Sequence, residues 1–327
     1  QAGASPNSKL NMAVIGAGGM GIHSVRSSAA ENLVALCDVD QVRAARAFND
    51  HPDARPFEDF RVMFDKLGNE IDAVCISTPD HTHFPAAMAA MELGKHVFVQ
   101  KPLAHNIWQV RTLRKAMHYY NVKTQMGNQG HFLEGMNRIK EWVDAGVIGE
   151  VRRVDTWTDR PVQPWFFKQP VEPPTEQPIP ETLNWDLWLG PAKKRPFNEV
   201  YVPTSWRGWW DFGCASLGDI GCHTFDAPFW TLDLGLPTRV EVECGEVTNP
   251  DYMPWGAKTT YHFPARGKKP PVVLTWYESG FDVPKPEGWE GEFDPKEGGM
   301  VMYGDKGTLF HYGMRPESPQ LLPQSHM

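Results

Sequence analysis

Long apolar runs are missing from this chain: nowhere do about 18 apolar residues follow one another, so no segment reads as a bilayer-spanning helix. Cysteine is scarce. Five in 327 residues, at 37, 75, 214, 222 and 244, are too few and too scattered for a disulfide framework, and their number is odd. Two of them sit in apolar strings, "ALCDVD" and "AVCIST", where a small buried hydrophobe is the plain reading. Positive charge is in deficit as well. The 32 Lys and Arg stand against 40 Asp and Glu, and the formal net charge of −8 argues against nucleic acid or an anionic membrane as main partner. No internal repeat or low-complexity array stands out, and no signal peptide is present to prove export. The opening "QAGASPNSK" is polar and rich in small residues, which reads as the structureless start of a processed chain. The last residues, "LLPQSHM", come without a terminal helix, so a C-terminal segment is expected to be missing.

Size and aromatic content are what the chain does have. Its length suits two domains better than one. Proline (29) and tryptophan (13) are abundant and cluster in the middle of the sequence. "RPVQPWFFKQPVEPPTEQPIPE", residues 160–181, cannot be regular helix or central strand, because proline lacks a donor and fixes φ. Such a loop reads as a lid or an interface wrap, or as a plain surface connector.

The first 125 or so residues alternate apolar strands with amphipathic helical segments. The strings "LNMAVIGAG", "LVALCDVD", "IDAVCIST", "HVFVQKP" and "VKTQMG" are strand-like. "MGIHSVRSSAAE", "QVRAARAFND", "FPAAMAAMELG" and "IWQVRTLRKAMHYY" are helical. Continuous apolar strands alternating with helices predict a parallel sheet covered on both faces. After a helix near 131–145 the pattern changes: "EVRRVDTWTD", "TRVEVECGEV", "KTTYHFP", "PVVLTWYES" and "GMVMYGDKGTLF" mostly alternate and are joined by Gly/Pro turns. The expected class is therefore α/β, a doubly wound parallel sheet over residues 1–126, followed by an α+β domain over 127–327. The second domain would carry a large, mainly antiparallel open sheet, whose free face would need a partner, and a homo-oligomer through it is expected.

"VIGAGGMG" supplies Gly16, Gly18 and Gly21 in GxGxxG spacing, with Gly19 and Met20 between them, after the first strand and at the opening of the first helix. The first glycine permits the tight turn, the second lets a pyrophosphate approach the backbone, and the third lets helix and strand pack closely. The helix N-terminus offers unpaired N–H groups to phosphate. Asp38 ends the second strand about 20 residues further on, where a carboxylate accepts from a ribose 2′-hydroxyl and repels a 2′-phosphate. Val39 beside it offers no positive charge, so a Rossmann domain that takes NAD rather than NADP is expected.

Ligands of such sheets sit beyond the carboxyl ends of the strands. "STPDHTHFPAA" and "GKHVFVQKPLAH" therefore place Ser77, Thr78, Pro79, His81, His83, Gln100 and Lys101 on the cofactor side. A lysine there could hydrogen-bond an alcohol oxygen and stabilise negative charge as hydride leaves; the plainer reading is a solvated surface lysine.

"AVIGAGGMG", "STPDHTH", "GKHVFVQKP" and "GDIGCHTFD", in this order and spacing, resemble the Gfo/Idh/MocA family of glucose–fructose oxidoreductase, inositol dehydrogenase and rhizopine-catabolism proteins. The resemblance covers nearly the whole chain. It implies a Rossmann domain plus an open-sheet α/β domain, and redox chemistry on sugars or polyols with NAD(P). Lys101 matches the lysine of the family's Glu-Lys-Pro motif, and Asp219 and His223 match its Asp-x-Gly-x-His motif. Gln100 departs from that pattern, which usually has Glu, and removes a charge next to Lys101. The strings "QMGNQGH", "WRGWWDFG" and "NWDLWLGPA" are similar to an exported bacterial branch, which implies a periplasmic or secreted protein, with a cytoplasmic one as the alternative.

In "SLGDIGCHTFD", helical spacing would put Asp219, His223 and Asp226 on one face. A metal site is disfavoured, because Cys222 points elsewhere and no second ligand cluster stands out. A hydrolytic triad lacks a nucleophile elbow. An acid–base role is left: His223 as general base, Asp219 orienting it, Lys101 assisting. A capping Asp beside a satisfied core His is the bland reading.

A sugar would be framed by Asn128 and Gln129 at the domain junction, with Asn128 also assigned to the cofactor, and by Arg160, Trp206, Arg207, Trp209 and Trp210, of which two or three tryptophans would line the pocket. The leading expectation is an NAD-dependent oxidoreductase acting on a secondary hydroxyl of a sugar or glycoside, C3 of a pyranoside being one candidate. An NAD-recycling glycoside hydrolase is the alternative. It would need a further acid or base, for which His131, Tyr201 and Glu278 are unranked candidates. A non-catalytic carbohydrate-binding protein is the third.

Overall fold

The computed structural model describes residues 9–170, 172–295 and 298–323. Residues 1–8 and 324–327, on which the expected processed start and missing end rest, lie outside the described residues. The chain divides into two compact units. The first runs to Gly127 and also takes Pro174–Trp206 and Asp211–Cys214. The second holds Asn128–Pro173, Arg207–Trp210 and the chain from Ala215 on. Residues 174–206 and 211–214 thus group with the N-terminal unit rather than with the 127–327 segment expected from sequence.

The first unit is built from β1 (Asn11–Ile15), α1 (Gly21–Ser28), β2 (Asn32–Cys37), α2 (Gln41–Asp50), β3 (Arg55–Phe57), α3 (Phe60–Leu67), β4 (Ala73–Ile76), α4 (Asp80–Glu92), β5 (His96–Gln100), α5 (Ile107–Tyr119) and β6 (Thr124–Gly127). The strands are parallel, in the order β3-β2-β1-β4-β5-β6. β4 is buried along its whole length, as a central strand covered on both faces must be. Helix starts follow local chemistry: the side chains of Asp40, Asp59 and Asn106 accept from the backbone N–H of Arg43, Arg61 and Gln109. Cys37 and Cys75 are buried in the strand core, as read from sequence.

The later part of the proline-rich stretch, with the residues just after it, packs on this unit. Asn184 N–H donates to Val39 O (2.9 Å) and Gln41 N–H to Thr182 O (2.9 Å), which straps the segment to the end of β2. Trp185 and Trp188 stack at 4.8 Å, and Phe197, Tyr201 and Phe212 close around them.

The second unit carries α6 (Glu134–Asp144), β7 (Val151–Trp157), α7 (Asp226–Leu232), β8 (Arg239–Cys244), β9 (Ala257–Phe263), β10 (Val272–Tyr277), β11 (Gly299–Gly304), β12 (Thr308–Tyr312) and β13 (Gln320–Leu322). Its sheet order is β13-β12-β11-β7-β10-β9-β8, antiparallel except for the β7–β10 pair. On one face Met136 and Ile139 of α6 and Ala227 and Leu232 of α7 pack onto Val154, Leu274, Met300 and Leu309.

The other face is not bare. Trp157, Tyr277, Val301, Tyr303 and Phe310 are covered by Phe281, Val283, Trp289 and Phe293 of the same chain. At the β8–β9 end the side chains are charged, with His262 against Glu241 (2.6 Å) and Lys258 against Glu243 (2.7 Å). An exposed apolar face was the sequence argument for a partner. The aromatic stretch after β10 folds back and removes much of that ground. Among the described residues, no helix is long and apolar enough to cross a membrane.

Candidate active site

In the first unit the glycine turn follows β1 directly. Gly16 has φ +82°, and a Cβ there would lie 2.7 Å from the Ser77 backbone. A Cβ on Gly21 would lie 1.8 Å from Gly16 O, so the first turn of α1 is pressed onto the loop. The space over Gly18 and Gly19 is bordered by Arg43, whose Nη2 would meet a Cβ on Gly19 at 2.5 Å. Asp38 accepts from the N–H groups of Gly18 (2.8 Å) and Asp40 (2.9 Å), and burial raises its pKa despite those bonds. Ser77 Oγ meets Ser24 Oγ at 2.8 Å. Thr78 Oγ1 is buried with no hydrogen-bond partner among the described residues. A backbone cradle that side chains would fill, an acid at the end of β2 and an orphaned hydroxyl at the end of β4 fit a dinucleotide. Met20 stands exposed at the start of α1.

Two expected cofactor residues do structural work. His83 is buried, with Nδ1 2.8 Å from Pro102 O and Nε2 2.8 Å from Thr78 O, and so ties the end of β4 to the turn that carries Lys101. Burial lowers its pKa. His81 faces the aromatic cluster instead: its Nε2 meets Trp188 O (2.9 Å), its ring lies 5.2 Å from both Trp188 and Phe212, and burial pushes its pKa down to about 4. Gln100 lies against Gly127, where a Cβ would meet its Oε1 at 2.8 Å. Lys101 follows it at the end of β5, half-buried. Trp206 and Tyr201 also belong to this unit, and both are buried.

In the second unit residues 217–221 form a π-helical turn that runs into a short helix at Cys222–Thr224. Asp219, His223 and Asp226, expected from sequence to share one helical face, are engaged by three different partners. Arg207 Nε donates to Asp219 Oδ1 (3.1 Å), His223 Nδ1 meets Asn128 Oδ1 (2.7 Å), and His131 Nδ1 meets Asp226 Oδ2 (2.9 Å). The Asn128 contact fixes a tautomer. Asn128 Nδ2 donates to Cys222 O (3.0 Å), so its oxygen faces the histidine, and an amide oxygen only accepts. His223 must then carry a hydrogen on Nδ1, and its neutral ring keeps the lone pair on Nε2. Burial raises the pKa of Asp226, partly offset by His131.

Arg160, beyond the end of β7, and Arg207 flank one ring, with guanidinium carbons 5.7 and 5.1 Å from the Trp165 centroid. Gln129 and Trp210 are exposed, whereas Trp209 is buried against Tyr252. Glu278, one residue past β10, is buried and accepts from Trp276 Nε1 (3.0 Å); burial raises its pKa to about 7. Reading the sequence alone missed Arg43, Trp165 and the orienting role of Asn128. The two side chains carried no motif, and the Asn128–His223 contact spans 95 residues.

Glu278 makes stability pH-dependent. Its folded pKa of about 7 exceeds the ordinary 4.5, so between those values the folded state holds a proton that the unfolded state has lost. Stability from this group therefore falls as pH rises through that window and levels off above it. Glu278→Gln keeps the indole bond and removes the titration. Urea midpoints of variant and native protein should separate in the variant's favour from pH 4.5 to 8, by an amount worth on the order of 3 kcal/mol. A constant difference would show that this carboxyl ionises normally.

Two family profiles match the chain. "Oxidoreductase family, NAD-binding Rossmann fold" covers residues 10–128, and "Oxidoreductase family, C-terminal alpha/beta domain" covers 134–276. The inositol 2-dehydrogenase of Corynebacterium glutamicum is 29% identical over 148 residues, which is 43% of this chain and 43% of that protein. The chain spans less than half the length of the curated relatives it matches. Among solved structures, the WlbA dehydrogenase of Bordetella pertussis, in complex with NADH and UDP-GlcNAcA, aligns with a TM-score of 0.67 at 17% identity, covering 96% of this chain and 82% of that one. A levoglucosan dehydrogenase in complex with NADH and levoglucosan aligns with a TM-score of 0.65 at 20% identity, covering 95% and 75%. With both of its units matched, the chain belongs to the Gfo/Idh/MocA family of oxidoreductases, and its N-terminal unit is an NAD-binding Rossmann domain.

Proposed function

We propose that the protein is an NAD-dependent oxidoreductase acting on a secondary hydroxyl of a sugar or glycoside, C3 of a pyranoside being one candidate. The observation that carries this reading is the buried His223 whose Nδ1–H is held by Asn128, which leaves Nε2 as the basic atom. Bound NAD would supply hydride acceptance and donation. The N–H groups of the Gly16–Gly21 turn would hold its phosphates, Asp38 its ribose, and Ser77, Thr78 and Gln100 the nicotinamide side. His223 would take the hydroxyl proton, Asp219 would stabilise the imidazolium, and Lys101 would hydrogen-bond the alcohol oxygen. Gln129, Arg160, Arg207 and Trp210 would contact the sugar.

An NAD-recycling glycoside hydrolase is the second reading, favoured by two further proton carriers in the second unit: the His131–Asp226 pair and the buried Glu278. Export and a homo-oligomer belong to the proposal as well. Export rests on the resemblance to the exported branch alone, and the oligomer on the remaining uncovered part of the sheet.

Aryl glycosides, followed at once by nicotinamide absorbance and aglycone release, separate the readings. Stoichiometric reduction without release is expected. Turnover without added NAD would favour the hydrolase, and silence across a broad panel would leave a binding protein.

A further inference from the structure

Arg160 and Arg207 stand on one indole, that of Trp165, with side chains only 14% and 15% exposed. Like charges this poorly hydrated repel one another unless anions stand close. Arg207 has one, Asp219, at 3.1 Å. Arg160 is served less well. Its nearest acid here, Asp159, is 47% exposed and 3.9 Å from Nε, outside hydrogen-bond reach. That Nε is buried and has no hydrogen-bond partner among the described residues.

The backbone holds Arg160 in place, since Ser279 N–H donates to its carbonyl (2.8 Å) and Thr158 N–H donates to Tyr277 O (3.0 Å). These bonds extend the parallel β7–β10 pair, so Arg160 and Glu278 share the carboxyl end of the two strands. The guanidinium is built into the unit rather than left on a free loop.

A neutral hydroxyl could accept from the orphan N–H but would not offset the charge. A carboxylate does both, and its two oxygens match the fork of a guanidinium. We infer that Arg160, Trp165 and Arg207 form a clamp for a carboxylate, and that the substrate is a uronic acid or another sugar acid rather than a neutral sugar. This inference rests on the sugar-oxidoreductase reading above for its choice of a carbohydrate.

The test uses native protein saturated with NADH, so that no turnover occurs, and calorimetric binding of both anomers of a methyl glucuronoside, their methyl esters, the methyl glucosides and a hexose 6-sulfate. The ester is nearly isosteric and lacks the charge. The acid is expected to bind about 30-fold more tightly than its ester. Arg160→Gln is expected to bring that ratio to about 3 or below. Because the acid–ester comparison needs only the native protein, a misfolded variant leaves the inference falsifiable. Equal binding of acid and ester, binding of neither, or tighter binding of the sulfate overturns it. Hydride transfer with neutral glycosides at an acid–ester ratio of one would sink the clamp and spare the oxidoreductase reading. A high ratio with no hydride transfer to NAD from any glycoside would do the reverse.

Discussion

His223→Ala is expected to lower kcat by about 10³-fold, with NADH binding retained. The size reflects the double loss of the proposed base and of the group that carries the substrate proton away. Asn128→Ala is the more informative partner variant. It removes the acceptor at 2.7 Å that obliges His223 to hold its hydrogen on Nδ1. The ring then samples both tautomers and is free to turn, and a loss of about 10²-fold in kcat is expected, with a smaller change in KM. A purely structural role for Asn128 would also lower activity, so a second readout is needed. The ¹⁵N shifts of the imidazole supply it: an Nδ1–H form in native protein, a mixture in the variant. Full activity in His223→Ala, or an Nε2–H tautomer in native protein, would refute the assignment. Lys101→Ala should resemble His223→Ala in kcat, since a neutral side chain there leaves the forming alkoxide charge unopposed.

Much of this was legible in the chain because local rules governed it. β1, the glycine turn and α1 come from an apolar run that ends in glycines, and Asp38 from its distance along β2. The same logic found β7 to β12, although the alternation that suggested one covered face did not foresee the aromatic stretch that covers the second. β3 and α3 were missed: Arg55–Phe57 is too short to show a period, and it comes after Pro and Asp in "HPDARPF". α4 starts at Asp80, before the expected "FPAAMAAMELG", because Pro85 within it reads as a start signal although the helix runs through it. The long-range contacts were beyond reach in principle. Nothing near Asn128 says that its amide will meet a ring 95 residues away, and nothing near Trp165 says that two arginines will stand against its ring. Arg43 has a sharper lesson. The absence of charge at Val39 suggests a loop free of cations, yet one helical turn later the chain returns a guanidinium to Gly18 and Gly19. Sequence adjacency is a poor proxy for neighbourhood once a helix begins.

Gly21→Ala is expected to be the most damaging single-methyl change in the first unit. Its Cβ would sit 1.8 Å from Gly16 O, and that oxygen cannot retreat easily. Gly16 already has φ +82°, and its own Cβ position is bounded by the Ser77 backbone at 2.7 Å. Moving the carbonyl therefore means moving the turn whose N–H groups would face phosphate. A stability loss of about 3 kcal/mol is expected, together with a fall of about 100-fold or more in NADH affinity, since misaligned donors lose strength steeply. Gly18→Ala meets atoms of Arg43 at 2.9 Å, and the side-chain part of that contact can swing aside, so it should cost less in both measures. Gly94→Ala supplies the control. Its φ is +72° but nothing lies within 4 Å of the new methyl, so it incurs backbone strain alone, about 1 kcal/mol, and NADH affinity stays as it was. Urea unfolding and NADH fluorescence titration on the three variants give the order directly. If Gly21→Ala binds NADH as tightly as Gly94→Ala does, the glycine turn is packing and not a phosphate cradle, and the cofactor half of the proposed site falls with it.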